Sequence, residues 1–387
     1  MTALSSVIAD LERLVSFDTT SSRSNLELIE WAESRLASAG ARLMRLPDPT
    51  GCKANLWARF GPDGPGGIVL SGHTDVVPVE GQDWTSDPFT VRREGDRLFG
   101  RGVADMKGFL ALCLSHAPRL SQARLSRPVD FAFSFDEEVG CAGVAPMIEV
   151  LRAHSAPPAL VWVGEPTLWG VMSAHKGIRD YEVRVRGLEA HSSDPRLGVS
   201  AIHEAVALMR EILEVARAAS AAPADGAALF DPPWPTLTIG RVGGGVASNI
   251  LAGECRFTFD VRTPPGVDCD ALLEPVFSAI RAADERLRAR DPGCGVEISR
   301  NADAPCLAPE PDGPAERLLR RLTGDNAVRA ASYATEAGQF QAAGMSAVIC
   351  GPGSIEQAHK PDEYIDIAQL EAGLGVFDRF LSVWAAA

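Results

Sequence analysis

The order of apolar and polar residues predicts alternating helices and strands in the first half of the chain. Residues 5–40 carry apolar side chains at helical spacing and end at Gly40, which predicts two amphipathic helices. Short aliphatic runs bounded by Gly or Pro predict buried strands, with a helix from Met106 to Leu120 between them. The predicted strands are NLWARF, GGIVLSGHTDVVPV, VDFAFSFDEE and ALVWVGEPT. This alternation predicts an α/β domain with a largely parallel, helix-flanked mixed sheet.

The pattern changes near residue 177, where IRDYEVRVRG alternates apolar and polar residues as a strand with one solvated face does. A helix near 198–218, strands at 236–242 and 254–262, a helix near 269–289 and a strand near 294–300 are predicted to follow. The order strand, helix, strand, strand, helix, strand predicts a ferredoxin-like α+β domain. We therefore expect an inserted domain at 177–300, with 1–176 and 301–387 forming the other domain. AASAAPADGAALFDPPWP predicts a long surface loop.

The composition and charge of the chain argue against several classes of function. The 387 residues are 46% apolar and 23% charged, as in an ordinary globular protein. The net charge of −14, without a stripe of Lys and Arg, argues against a nucleic-acid partner. No apolar run is long enough to span a membrane and no export signal is visible, so a cytoplasmic protein is expected. The eight cysteines form no CxxC pair and are expected to be buried free thiols.

Acidic and imidazole side chains cluster at the predicted strand ends. They are His73 in GHTD, Asp105 in GRGVADMKG, Glu137 and Glu138 in FDEEVG, Glu165 in VGEPT, and His359 in AHKPDE. Each alone is typical of a turn or capping residue. Because polar residues after the strands of such a sheet meet at its carboxyl edge, the set offers the mixed nitrogen and oxygen ligands that borderline divalent metals prefer.

Two local spacings refine this prediction. Asp75 lies two residues after His73 on the same strand face, and we expect it to accept the spare ring N–H of that histidine. Glu137 and Glu138 point to different sides, so one is expected to bind a metal and the other to act as general base toward water. The alternative, two acidic residues that solvate a strand end, fits poorly after the apolar run VDFAFSF.

These motifs make the chain similar to a family of dinuclear metallopeptidases that includes acetylornithine deacetylase, succinyl-diaminopimelate desuccinylase, carboxypeptidase G and aminoacylase. GHTDVVP, GRGVADMKG, DEEVG, GEPT and AHKPDEY occur in the family's order, and the resemblance covers nearly the whole chain. The resemblance implies two divalent ions, zinc first, with cobalt or manganese as alternatives. It assigns one ion to His73 and Glu165, the other to Glu138 and His359, the bridge to Asp105 and the base to Glu137.

The resemblance also implies roles for the inserted domain. His191 in GLEAHSSDPRLG resembles a family histidine that stabilises the oxyanion from the partner subunit, which implies a homodimer and a dimerisation or lid role for 177–300. Asn249 in GGGVASNI and Arg262 in DVR resemble substrate-holding positions, with Arg262 suited to an α-carboxylate. The alternatives are a turn histidine at 191 and an edge-strand salt bridge at 262.

The remaining motifs bear on the substrate. SNLELIEWAESRL, HKG, AHSSDP, YATEAGQF and GPGSIEQAHKPDEY are most similar to the acetylornithine deacetylase branch. This implies hydrolysis of a small N-acyl amino acid by water, with N-acetyl-L-ornithine giving L-ornithine and acetate in arginine biosynthesis. Glu336 is a candidate partner for the ornithine ammonium, but it equally fits orienting a ligand or capping the next turn. Gly351 and Gly353 allow the backbone to approach a ligand, and a plain turn explains them equally well.

Four other functions compete with this one. A desuccinylase, or a deacylase of another N-acyl amino acid, keeps the chemistry and changes the pocket. A protein that only binds its ligand is disfavoured because all the ligand and base positions are filled. A serine hydrolase and a nucleotide-binding enzyme are disfavoured because the chain has no GxSxG, GxGxxG or GxxxxGK string.

Overall fold

The structure, a computed structural model, describes residues 2–153 and 157–385. It divides into two units. Unit 1 comprises Met1–Ala174, Leu307–Ala330 and Thr335–Ala387, and unit 2 comprises His175–Cys306 and Ala331–Ala334. The segment expected as an insertion, 177–300, lies within unit 2.

The helices follow the predicted periodicity in the first half of the chain. They are α1 (Ala3–Val15), α2 (Leu26–Ser38), α3 (Lys107–Gln122), α4 (Ala145–Ala153), α5 (Ala201–Ala219), α6 (Cys269–Arg290), α7 (Pro314–Thr323), α8 (Ala337–Ala342) and α9 (Ile367–Trp384), with a 3₁₀ turn at Pro195–Leu197. The amphipathic pair expected before Gly40 is confirmed as α1 and α2. Gly40 has φ +85°, a left-handed conformation suited to glycine after a helix end.

The strands are β1 (Arg42–Pro47), β2 (Ala54–Phe60), β3 (Ile68–His73), β4 (Arg92–Glu94), β5 (Arg97–Phe99), β6 (Val129–Ser134), β7 (Leu160–Val163), β8 (Gly177–Arg186), β9 (Thr236–Gly244), β10 (Glu254–Thr263), β11 (Gly295–Ala304), β12 (Ser346–Ile349) and β13 (Tyr364–Asp366). Unit 1 holds a six-stranded sheet in the order β1-β2-β6-β3-β7-β12. Strands β6, β3, β7 and β12 run parallel, whereas β1 and β2 pair antiparallel at one side. This is the largely parallel mixed sheet that was predicted.

Apolar side chains cover both faces of this sheet. Leu70 and Phe131 lie in a core shared with α1, α2, α3 and α9, while their neighbours Val69 and Ala132 lie in a second core with α4 and α8. Successive residues of a strand point to opposite faces, so a strand buried on both sides must be apolar throughout. That requirement explains the continuous aliphatic runs that made these strands visible in the sequence.

A small sheet in unit 1 was not predicted. Strands β4, β5 and β13 have three residues each, and β5 pairs antiparallel with both of the others. The β5–β13 pairing joins the chain near residue 98 to the chain near residue 365. It therefore brings the turns at 100–106 beside the loop at 359–363, where Gly100 N–H donates to the Glu363 carbonyl at 2.9 Å.

Unit 2 is an antiparallel sheet in the order β11-β8-β10-β9, with helices α5 and α6 between its strands in sequence. The ferredoxin-like order of elements is confirmed. Helices α5 and α6 share one core with the sheet. The other sheet face is more solvated, as the alternating burial along β10 shows.

The structure shows the state of the cysteines and the character of the helices. All eight cysteines are free, and most are buried, although Cys52 is exposed. Within residues 2–153 and 157–385, no helix has both the length and the apolar character needed to cross a membrane.

Candidate metal centre

His73 ends strand β3 and is 1% exposed. Its Nδ1 lies 2.9 Å from the backbone carbonyl of Asp75, and a carbonyl only accepts, so Nδ1 carries the proton. Nε2 then faces Asp105 Oδ1 at 3.2 Å and Glu165 Oε1 at 3.8 Å. The ring orientation thus leaves Nε2 directed at two carboxylates, which is the arrangement of a metal-binding imidazole.

The carboxylate of Asp75 has different partners from those expected. It lies 3.6 Å from His73 Nδ1, which is too far for a hydrogen bond. Instead, it accepts hydrogen bonds from the hydroxyl of Ser21 at 2.7 Å and from the backbone N–H groups of Glu137 at 3.1 Å and Glu138 at 3.2 Å. Asp75 therefore orients the imidazole through its carbonyl and the two glutamates through its side chain.

His359 lies on a loop and not at a strand end, just as Asp105 lies in the turn before α3. Its φ is +63°, and its Nε2 lies 3.3 Å from Asp105 Oδ2 and 3.0 Å from Glu138 Oε2. The two oxygens of Asp105 are thus divided between the two histidines, with Oδ1 toward His73 and Oδ2 toward His359.

These contacts define two groups of three residues whose ligand atoms lie within 4.8 Å of one another. The groups are His73, Asp105 and Glu165, and Asp105, Glu138 and His359. We call them the His73 group and the His359 group. Because Asp105 belongs to both, the arrangement can hold two cations that share one carboxylate.

The carboxylates repel one another in a buried setting. Burial raises the pKa of Glu138 to about 7, with the charge of Asp105 adding to the increase. Burial likewise raises the pKa of Glu165 well above its ordinary value, His73 opposes the increase, and Asp105 and Glu137 add to it. A bound cation would offset this repulsion.

Glu137 belongs to neither group. Its Oε1 accepts a hydrogen bond from the thiol of Cys141 at 3.3 Å. Burial raises the pKa of Glu137 well above its ordinary range, His73 lowers it, and the like charge of Glu138 raises it further. A carboxylate beside the ligand groups with increased proton affinity is suited to exchange protons there.

Residues 69–383 match the family model described as Peptidase family M20/M25/M40. The chain belongs to this family. Acetylornithine deacetylase from Pectobacterium carotovorum subsp. carotovorum (strain PC1) is 34% identical over 356 residues, which cover 90% of this M20 chain and 88% of the relative. The protein of the same name from Edwardsiella ictaluri (strain 93-146) is 35% identical over 355 residues, covering 89% and 87%. The resemblance inferred from the motifs is confirmed.

Solved structures share the fold. An M20 family metallo-carboxypeptidase from Sulfolobus solfataricus superposes with a TM-score of 0.79 at 16% identity, covering 98% of this chain and 99% of that one. Human carnosine dipeptidase 1 gives a TM-score of 0.74 at 18% identity, covering 98% and 96%. Family and fold together make the protein a metal-dependent hydrolase of the M20 type.

The donors of this M20 chain fit divalent ions. Imidazole and carboxylate ligands suit zinc and its neighbours. Among the residues that the structure describes, Glu165 Oε1 is a buried atom without a hydrogen-bond partner. A buried carboxylate oxygen costs free energy unless something compensates it, and a cation held by Glu165, His73 and Asp105 would do so.

Glu336 and the GPGS turn also lie in unit 1. Glu336 is 1% exposed and its Oε2 accepts a hydrogen bond from the Ser71 hydroxyl at 3.1 Å. It precedes α8 but makes no side-chain capping bond, so the turn-capping alternative is not what the structure contains. Gly353 has φ +81°, and a Cβ at Gly351 would lie 2.1 Å from the Gly164 carbonyl. Both glycines are thus required by the backbone itself.

Unit 2 contains the other predicted positions. His191 is exposed, and its Nδ1 accepts the backbone N–H of Ser193 at 3.1 Å, so Nε2 carries the proton. The backbone carbonyl of Asn249 accepts the N–H of Ser192 at 3.0 Å, which brings Asn249 beside His191. Arg262 forms an ion pair with Asp260 at 2.9 Å, on the inner strand β10 and not on an edge.

Sequence reasoning missed Glu363, whose carboxylate is 1% exposed and contacts the turn that carries Asp105. In the sequence, Glu363 is marked only by its place in the motif AHKPDEY. Its partners lie some 260 positions earlier, as with Arg101 at a separation of 262, beyond the reach of any local pattern.

Proposed function

We propose that this protein hydrolyses the amide bond of an N-acyl amino acid with the help of two divalent ions, zinc first among them. The observation that carries the proposal is the division of Asp105 between the His73 and His359 groups. The substrate we propose is N-acetyl-L-ornithine, which gives L-ornithine and acetate. Relatives named acetylornithine deacetylase, 34–35% identical over about nine tenths of the chain, support this choice.

Each group would hold one ion. Ions bound there would supply Lewis-acid polarisation of the acyl carbonyl and would lower the pKa of the attacking water. Glu137 takes a proton from that water, the resulting hydroxide adds to the acyl carbonyl carbon, and the C–N bond breaks as Glu137 returns the proton to the leaving amine nitrogen. Because water is the nucleophile, no acyl group is attached to the protein. The thiol of Cys141, at 3.3 Å from Glu137 Oε1, helps to hold the base in place.

Unit 2 would complete the site within a homodimer. His191, with its proton on Nε2, is a donor suited to the developing oxyanion of the partner subunit's substrate. Asn249 and Arg262 would hold the substrate, and Arg262 would exchange Asp260 for the α-carboxylate. In this proposal, 177–300 acts as a dimerisation or lid domain.

Glu336 and Gly353 are the proposed substrate contacts in unit 1. A buried carboxylate left without a compensating charge is unfavourable, so Glu336 would select a substrate with a cationic side chain. A desuccinylase, or a deacylase for another amino acid, would need a different partner at this position.

Amine release from a panel of substrates tests the proposal. The panel is N-acetylornithine, N-succinyl-diaminopimelate, N-acetylcitrulline and N-acetylmethionine, each with metal-loaded protein and a chelated control. We expect metal-dependent preference for N-acetylornithine. Preference for another member would contradict the proposed substrate and still support metal-dependent amide hydrolysis. No turnover on any member would favour a protein that only binds its ligand.

A further inference from the structure

Glu363 lies at the centre of a buried hydrogen-bond network beside Asp105. Its carboxylate accepts from Arg101 Nη1 at 2.8 Å and from the backbone N–H groups of Gly102 at 2.9 Å, Ala104 at 2.9 Å and Asp105 at 3.1 Å. Both oxygens take part, Oε2 toward Arg101 and Gly102 and Oε1 toward Ala104 and Asp105. One side chain thus binds the backbone of the turn that carries the shared ligand.

The turn at 100–106 needs such a partner. It forms neither helix nor strand, so the buried N–H groups of Gly102, Ala104 and Asp105 need an acceptor outside regular secondary structure. Charge-assisted hydrogen bonds from backbone N–H to carboxylate are among the stronger kinds. Glu363 therefore fixes the backbone of Asp105, and with it the direction of the Asp105 carboxylate.

The same network reaches His359. Arg101 also donates to the Lys360 carbonyl at 3.3 Å and to Gln82 Oε1 at 2.6 Å. Gln82 in turn donates through Nε2 to the backbone carbonyl of His359 at 2.9 Å. A continuous chain of hydrogen bonds thus joins the backbone of Asp105 to that of His359, with Glu363 and Arg101 in the middle.

We propose that Glu363 is a positioning residue for the His359 group. It fixes the loop of His359 against the turn of Asp105, so the affinity for the ion held by Glu138, Asp105 and His359 depends on it. The His73 group depends on it less, because strand β3 already holds His73. The inference rests on the proposed two-ion function and adds a residue that acts through the ligands without touching the ions.

The chain offers a matched control. Asp130 and Arg59 form another buried carboxylate–guanidinium pair in unit 1, with Nε to Oδ1 at 2.6 Å and Nη2 to Oδ2 at 2.8 Å. Asp130 lies near the start of β6, at the end opposite to the ligand edge of the sheet. Its loss removes a comparable buried ion pair and leaves the ligand loops untouched.

The test is a Co²⁺ titration of the metal-free 387-residue chain, monitored by d–d absorption and by calorimetry. A thermal melt of each sample measures its stability. The samples are wild type, Glu363→Gln and Asp130→Asn. For Glu363→Gln we expect the ion of the His359 group, the second ion, to bind roughly 10–100-fold more weakly, as for residues that orient metal ligands, and the ion of the His73 group, the first ion, to be weakened less. For Asp130→Asn we expect a lower melting temperature and wild-type affinity for both ions.

Wild-type affinity for the second ion in Glu363→Gln would overturn the inference. So would equal weakening of the second ion in Asp130→Asn, since the effect would then follow stability alone. If Glu363→Gln does not fold, Gln82→Ala takes its place, and an unchanged second ion in that variant would again overturn the inference. A wild-type chain that binds only one ion would overturn the two-ion function itself before any variant is compared.

Discussion

The two ligand groups share Asp105 but are built in different ways. His73 ends a strand that is buried on both faces and is itself 1% exposed. His359 lies on a loop with φ +63°, and its side chain is 53% exposed. The first group is thus a product of the hydrophobic core, whereas the second is held by polar contacts between segments that are distant in sequence.

The two groups therefore hold their ligands by different means, the first by core packing and the second by hydrogen bonds. Packing on both faces of β3 fixes the backbone of its last residue, and the carbonyl of Asp75, two residues on, then orients the ring. A loop has no such support, so its ligand depends on hydrogen bonds that water can replace. We therefore expect the two ions to respond differently to substitutions in the polar network, and the five variants below test the comparison of the two groups.

Glu137→Gln should have the largest effect, because it removes the proposed base and leaves both groups intact. We expect kcat to fall by about 10²–10⁴, the usual contribution of general acid–base catalysis. Metal content, measured on the same sample, should stay at the wild-type level. Full activity would contradict the assignment, and loss of an ion would show that Glu137 is a ligand.

His73→Ala and His359→Ala compare the groups directly in the metal-free chain. His73 is the buried partner of Asp105 and Glu165, and breaking a buried pair typically costs about 3–5 kcal/mol. His359 is half exposed, so its loss should cost about 1 kcal/mol or less. Urea denaturation with a chelator present measures both. Equal losses would contradict the distinction between a core-built and a loop-built group.

Asp75→Asn should affect the His359 group more than the His73 group. The carbonyl that orients His73 is unchanged, but the carboxylate that accepts from the backbone of Glu137 and Glu138 is lost. We expect the second ion to bind roughly 10–100-fold more weakly, with the first unchanged. Calorimetric Co²⁺ titration measures both. Selective weakening of the first ion would mean that the carboxylate, and not the carbonyl, orients His73.

Ser71→Ala should have the smallest effect on ion binding. Ser71 lies on β3 two residues before His73 and donates to Glu336. Its loss should lower the free energy of unfolding by about 1 kcal/mol, a typical value for one hydrogen bond. If packing alone fixes β3, both ion affinities should match wild type in the titration. A weakened first ion would show that polar contacts also support the core-built group.

The core-built part of the molecule was predictable from sequence. A strand covered on both faces must be apolar throughout, so β3, β6 and β7 were visible as aliphatic runs. His73 and Glu165 were visible as the polar residues at or just after such runs. The alternation in β8 and β10 made the ferredoxin-like unit visible in the same way.

In the loop-built part, the sequence predicted the ligand residues but not the strands and contacts that hold them. His359 was identified through its motif, but strands β4, β5 and β13 have three residues each, too short to show a period. The partners of Glu363 lie 258–262 positions away, so no local pattern records them. Likewise, the spacing of His73 and Asp75 predicted a contact between them. It could not show that the carbonyl of Asp75 would lie closer to His73 Nδ1 than its carboxylate does.

The separation of 262 positions between Arg101 and Glu363 also sets an order of assembly during synthesis. All of unit 2 is translated between them, which takes on the order of tens of seconds at usual elongation rates. Contacts between distant segments close late because the intervening loop must first lose entropy. A nascent chain therefore carries the residues of the His73 group well before His359 exists, and it can offer a newly arriving metal ion only one of the two groups.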